Sequence, residues 1–203
     1  MDDIINNLPE AIRQLIEGKP YETDDMGRSG SQVRIYDDAV LKIEKEQPKL
    51  AQMVEIMRWL DGKLPAPKVL ATEVKDGYRY LLMSKVKGRM AVDEYYLNRP
   101  EELTTLLAEA LKMLWSIDIS DCPKTLDLSA ELEAAKDLVE HGQVNMNNAE
   151  PETFGEGGFK DPAELLQWLY DNRPETDPVF AHGGFCLPNI LFGDGEVGGF
   201  SSL

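Results

Sequence analysis

Hydrophobic positions recur along this chain with two periods, about 3.6 residues and two, and the alternation between them predicts the elements. Leu8, Ile12, Leu15 and Ile16 share one helical face. Asn7 is placed to cap that helix, Pro9 suits its first turn, and Gly18 ends it. The period then changes. After the small polar stretch Gly27-Arg28-Ser29-Gly30-Ser31, Val33 and Ile35 alternate with polar residues, Asp37-Asp38 marks a turn, and Ala39-Val40-Leu41-Lys42-Ile43 continues. This predicts a β-hairpin with a Gly/Ser loop at its open end. Leu50, Met53, Val54, Met57 and Leu60 restore helical spacing over 50–61, and Gly62 stops it. Pro65 and Pro67 break the chain, and 68–72 pairs with 78–83 about the turn Asp76-Gly77.

The second half is mainly helical. Leu103, Leu106, Leu107, Ala110, Leu111 and Leu114 predict a strongly amphipathic helix over 101–117, and 129–141 predicts another. Residues 143–160, rich in Asn, Glu and Gly, read as a loop. Asp161-Pro162-Ala163-Glu164 is a capping signature that opens a third helix carrying Leu165, Leu166, Trp168 and Leu169. The tail reads as strand 179–181, loop 182–188, strand 190–192, turn Asp194-Gly195 and strand 197–200. The class is α+β.

Composition narrows the function classes. The chain has 203 residues, 42% of them hydrophobic, enough for a core and against disorder or low complexity. No apolar run reaches the ~18 residues of a membrane span, and the acidic start Met1-Asp2-Asp3 is unlike a secretion signal, which predicts a cytoplasmic protein. Thirty-seven Asp and Glu against 21 Lys and Arg give a net charge of −16. Such a surface repels nucleic acid and anionic membranes and suits a cationic partner, although acidity also serves solubility. Cys122 and Cys186 share no ligand spacing with His141 or His182, and are expected as two buried thiols.

A hairpin with a Gly/Ser loop, a mid-strand lysine, a helix and a further strand pair is the layout of a kinase nucleotide lobe. Backbone N–H groups of a small-residue loop can cover phosphates, and Lys42 can pair with phosphate oxygens. Alone, Gly27–Gly30 also reads as a surface turn and Lys42 as a solvated strand lysine. The tail is more specific. His182-Gly183-Gly184-Phe185-Cys186-Leu187-Pro188-Asn189-Ile190-Leu191-Phe192 resembles the catalytic loop of aminoglycoside phosphotransferases, whose pattern is His-Gly-Asp, four residues, Asn. Leu64-Pro65-Ala66-Pro67-Lys68-Val69-Leu70, Leu81-Leu82-Met83-Ser84, Ser116 to Pro123 and Phe159-Lys160-Asp161-Pro162 also resemble the aminoglycoside 3'-phosphotransferases, in order, from about residue 8 onward.

The resemblance implies a protein-kinase-like two-lobe fold. Residues 1–85 would be a β-rich nucleotide-binding N-lobe. Residues 86–203 would be a helical C-lobe, with catalytic loop 182–189, cut short after the metal-binding strand. It implies ATP and magnesium between the lobes, and γ-phosphoryl transfer to a hydroxyl of a polycationic aminoglycoside. Lys42 matches the phosphate-pairing lysine, and Ser29, Gly30 and Ser31 the phosphate-covering loop. Val40 would pack on the base, and Ser84 and Val86 lie at the hinge. Asn189 matches the magnesium-binding asparagine, and His182 a structural hydrogen-bonder. Glu150, Glu152 and Glu156 are candidates for the drug's ammonium groups.

Several positions depart from the family. Gly184 stands where the catalytic aspartate belongs, and Ser202 where the main magnesium ligand belongs. Glycine can neither orient nor deprotonate a hydroxyl, and a neutral serine is a poor ligand for a hard dication. The helix glutamate that pairs with the strand lysine falls at Met53. Glu55, two residues on, is turned about 200° away, so Lys42 is expected to lack its ion-pair partner. Trp115 occupies a position usually held by His. Members of the family continue for several tens of residues, so the apolar faces of 101–117 and 161–171 are expected to be partly uncovered and open to self-association. The reading is an aminoglycoside phosphotransferase without transfer activity. The alternatives are a nucleotide- or drug-binding pseudokinase module, or a fragment that pairs with another chain.

Overall fold

The computed structural model describes residues 7–24, 31–175 and 177–201. Two compact units divide the chain, one of 1–123 with 179–203 and one of 124–178.

The first unit begins with helix α1 (Glu10–Ile16) and a five-stranded antiparallel sheet. Its strands are β1 (Glu22–Asp24), β2 (Gln32–Ile35), β3 (Ala39–Lys45), β4 (Val69–Lys75) and β5 (Tyr78–Ser84), in the order β1-β2-β3-β5-β4. Helix α2 (Pro48–Leu60) joins β3 to β4. Strand periodicity assigns the two faces. Leu41, Ile43, Tyr80 and Leu82 are buried with Ile12 and Ile16 of α1. On the other face Leu81 packs with Val54 and Met57 of α2, joined by Met53, Val69 and Met83. The β4–β5 turn takes its shape from Asp76 (φ 52°) and Gly77 (φ 77°), since a two-residue hairpin turn that matches strand twist needs positive φ at both positions.

The chain continues through β6 (Arg89–Met90), the short helix α3 (Glu94–Leu97) and α4 (Pro100–Trp115). It returns after the second unit in β7 (Ile190–Gly193) and β8 (Glu196–Phe200), which form a three-stranded sheet in the order β6-β7-β8. Leu106, Ala110 and Leu114 of α4 enter a core with Leu60, Ala91, Tyr96, Phe180, Ile190, Phe192 and Phe200. The Ser116 to Pro123 segment is tied to α2: Asp121 Oδ1 accepts hydrogen bonds from Trp59 Nε1 at 2.9 Å and Lys63 Nζ at 2.7 Å.

The second unit pairs α5 (Leu128–Glu140) with α6 (Pro162–Asp171). The capping signature forms: Asp161 Oδ1 accepts from the Glu164 N–H at 2.9 Å, and the Glu164 carboxylate reaches back to the Lys160 N–H. Tyr170 donates to Glu133 at 3.0 Å, Arg173 donates to Ser129 at 2.7 Å, and Leu132 is buried. The apolar face of α6 is partly covered, with Trp168 and Leu169 exposed, and Trp115 at the end of α4 is exposed as well.

Three expectations are corrected. Asn7 does not cap α1. Its side chain instead bridges the β4–β5 turn, donating to Asp76 at 2.8 Å and accepting from Lys75 at 2.6 Å, while Pro9 stands at the N-cap. Residues 179–181 form no strand; Phe180 is held by its buried ring against Trp59, at 5.7 Å between centroids, rather than by a ladder. Cys186 is exposed, because Phe185 and Leu187 on either side of it are the residues turned to the core.

Candidate active site

Lys42 lies at the middle of β3, opposite Val33 of β2 and Leu81 of β5. Alternation puts Val40, Lys42 and Glu44 on one face, with Ile35 and Met83 flanking Val40. That face is partly open: Val40, Lys42, Glu44, Val33, Ile35 and Met83 are all half-buried. The lysine does not lack an ion-pair partner, which corrects the sequence reading. Its Nζ lies 3.1 Å from Glu44 Oε2 on the same strand. Met53 joins the apolar stripe of α2 and Glu55 is exposed, as the helical angle between them requires. Ser31, half-buried, leads into β2, while Ser29 and Gly30 lie outside the described residues.

The hinge follows β5. Ser84 is bound on both its amide and its hydroxyl to Lys68, its N–H donating to the Lys68 carbonyl and its Oγ accepting from the Lys68 N–H, both at 2.9 Å. The Lys85 N–H donates to the Asp38 carbonyl at 3.0 Å. Val86, which follows, makes no backbone hydrogen bond among the described residues. Strand β8 passes directly beneath. A Cβ on Gly199, whose φ is 143°, would overlap the Pro65 carbonyl oxygen and come within 2.9 Å of Val86 Cγ1. The Gly198-Gly199 pair is a signal in the sequence that could have revealed this approach, since glycine inside a strand pattern marks close backbone contact.

The loop 182–189 is held by three local bonds. The Gly184 N–H donates to His182 Nδ1 at 3.2 Å, and Asn189 Nδ2 donates to the Gly184 carbonyl at 3.0 Å. The Asn189 N–H donates to the Cys186 carbonyl at 2.9 Å. The His182 ring is buried and lies 5.4 Å from that of Phe200. Gly184 has an ordinary backbone φ and is exposed; an added Cβ would come no closer than 3.4 Å, to the Asn189 amide. The loop therefore has room for a side chain at 184 and carries none. Where β8 ends, the Ser201 N–H donates to the Asn189 carbonyl at 3.0 Å, and Ser202 lies outside the described residues.

These residues do not fit a magnesium ion. With its amide nitrogen committed to Gly184, Asn189 offers one neutral oxygen, Oδ1. No group of three His, Cys, Asp or Glu suited to a metal occurs among the described residues. Magnesium is bound through carboxylates and substrate phosphates in near-octahedral geometry, which this donor set does not supply.

Glu150, Glu152 and Glu156 belong to the second unit, where all three are exposed on an irregular loop. Glu152 has φ 71°, and the Glu150 carbonyl accepts from the Thr153 N–H at 3.2 Å, which closes a turn. No helix among the described residues is long and apolar enough to cross a membrane.

Comparison with known proteins places this geometry. Residues 21–200 match the model of the phosphotransferase enzyme family. An aminoglycoside 3'-phosphotransferase of Enterococcus faecalis is 41% identical over 152 residues, covering 73% of this chain and 56% of its own length. That of Niallia circulans is 32% identical over 211 residues, covering 100% of this chain and 79% of its own. The chain thus spans little more than half, 56%, of the length of the Enterococcus faecalis protein. Among solved structures, an aminoglycoside phosphotransferase of Streptomyces rimosus in complex with ADP and streptomycin superposes with a TM-score of 0.68 at 25% identity, covering 100% of this chain and 77% of its own. A type VIII aminoglycoside-3'-phosphotransferase shares the fold at a TM-score of 0.70 and 23% identity, covering 98% of this chain and 75% of its own.

Proposed function

The chain belongs to the phosphotransferase enzyme family, and on that premise we propose that it is an aminoglycoside kinase by descent that holds a nucleotide without transferring its phosphoryl group. Residues 1–85 are the nucleotide-binding lobe in this reading. Val40 packs on the base, Val86 and Ser84 present backbone at its edge, Lys42 pairs with phosphate oxygens, and Ser29, Gly30 and Ser31 cover them. Residues 86–203 carry the loop 182–189, in which His182 and Asn189 fix the backbone and Gly184 leaves the acceptor hydroxyl unserved.

The observation that carries the reading is the state of that loop. Its hydrogen bonds are made, its backbone at 184 is ordinary, and the carboxylate alone is missing. Loss of a group that orients a hydroxyl and accepts its proton costs a factor of roughly 10² to 10⁴. Magnesium chemistry is weakened separately by the donor set at Asn189 and by Ser202. The substrate class follows from charge: residues 124–178 hold 13 of the 37 acidic residues and 4 of the 21 basic ones, which favours an aminoglycoside bearing several ammonium groups. A coupled assay with ATP, magnesium and kanamycin at high protein concentration is expected to give no turnover above background. Turnover near the ordinary kinase range of roughly 1–100 s⁻¹ would overturn the proposal.

A further inference from the structure

We propose that Glu44 is the positioning residue for Lys42, supplying from its own strand the carboxylate that α2 does not. The inference rests on the nucleotide reading above and deepens it. Lys42 carries an ammonium on a flexible four-carbon stem, and its cross-strand neighbours, Val33 and Leu81, are apolar. Without an anion beside it the ammonium would spread over many rotamers. Glu44 Oε2, 3.1 Å from Nζ, provides that anion.

Three further observations support a positioning role. First, the carboxylate is the more sheltered partner: the Glu44 side chain is 16% exposed and that of Lys42 27%. The acid is therefore fixed from below while the ammonium keeps an open side. An ammonium has three donors, and one bond to Glu44 leaves two for phosphate oxygens. Second, Glu44 is not drawn away by the nearest guanidinium. Arg79, its register partner on β5, is engaged by Glu46 in two bonds of 2.8 and 2.7 Å. Third, α2 supplies no competitor, since Met53 is packed with Leu81 and Glu55 is exposed.

Isothermal titration with ATP and with adenosine, both in EDTA, tests this on the full chain. Glu44→Gln is expected to weaken ATP binding by about 3- to 10-fold, the range of a partly sheltered ion pair, and to leave adenosine affinity unchanged. A purely structural role for Glu44 would move both ligands together. Glu44→Gln combined with Met53→Glu, which returns a carboxylate beside Leu81 from the helix, is expected to recover ATP affinity. Glu44→Asp, which keeps the charge one methylene short, is expected to fall between wild type and Glu44→Gln whether or not the double variant folds. Glu44→Gln binding ATP as tightly as wild type or more tightly, or losing ATP and adenosine equally, overturns the inference alone. Wild-type chain that binds neither ligand overturns the nucleotide reading and the inference with it.

Discussion

The loop 182–189 is held through the backbone of Gly184. His182 and Asn189 bind the amide and the carbonyl of residue 184, not its side chain, so they hold the same backbone whatever stands there. Motif spacing put His182 and Asn189 on one loop, and the structure joins both to Gly184 across short sequence separations. Residues whose partners are distant in sequence were not legible. Asn7 looks like a helix cap until Asp76 and Lys75 are brought to it by folding. Glu44 was not legible because its pairing with Lys42 depends on side-chain rotamers on one strand face, which the sequence does not display. Gly199 is closed to substitution. A methyl group there overlaps the Pro65 carbonyl, which is backbone, and crowds the Val86 side chain, and φ 143° is costly for any other residue. Gly199→Ala is expected to destabilise the fold by at least about 2 kcal/mol in urea unfolding, with the m-value unchanged.

Elements with a strong period appeared where the sequence put them. Helix α4, expected over 101–117, spans Pro100–Trp115, and α2, expected over 50–61, spans Pro48–Leu60. The short pieces were not legible. Strands β1 and β6 have three and two residues, too few for any period, and exist because β2 and β7 offer them ladder partners. The reverse holds at 179–181, where an apolar run finds no ladder. The segment after α4 was read as a family signature, and the structure gives it a mechanical role, fastening α2 through Asp121. Lys63 and Trp59 hold the Asp121 carboxyl below the usual carboxylate range. A folded-state value below the unfolded one means that the contact stabilises at neutral pH and is lost as the pH falls through the folded-state value. Trp59 fluorescence is therefore expected to change below about pH 4, ahead of global unfolding, and Asp121→Asn is expected to abolish that early step.

At the scale of the whole molecule, acidity and site chemistry point in different directions. The chain carries 37 acidic residues, yet 184, 202 and 53, where the family resemblance implies carboxylates, hold Gly, Ser and Met. In the proposed reading, acidity still attracts a cation, and Lys42, Val86 and the loop 182–189 still receive a nucleotide. In the proposed reading, reaction is what these substitutions remove. The limits of the second unit, 124–178, were not legible, since the sequence reading divides the chain at 85/86. Nor was the return of 179–203 to the first unit, because it depends on β7 pairing with β6, about a hundred residues earlier. The most direct measurement is the shift in Tm produced by ATP with and without magnesium. A ligand at a hundredfold excess over Kd adds about 2.7 kcal/mol, a shift of several degrees for a chain of this size. The account predicts the same rise in Tm with ATP alone as with ATP and magnesium. No rise, or a rise that appears only when magnesium is added, would contradict it.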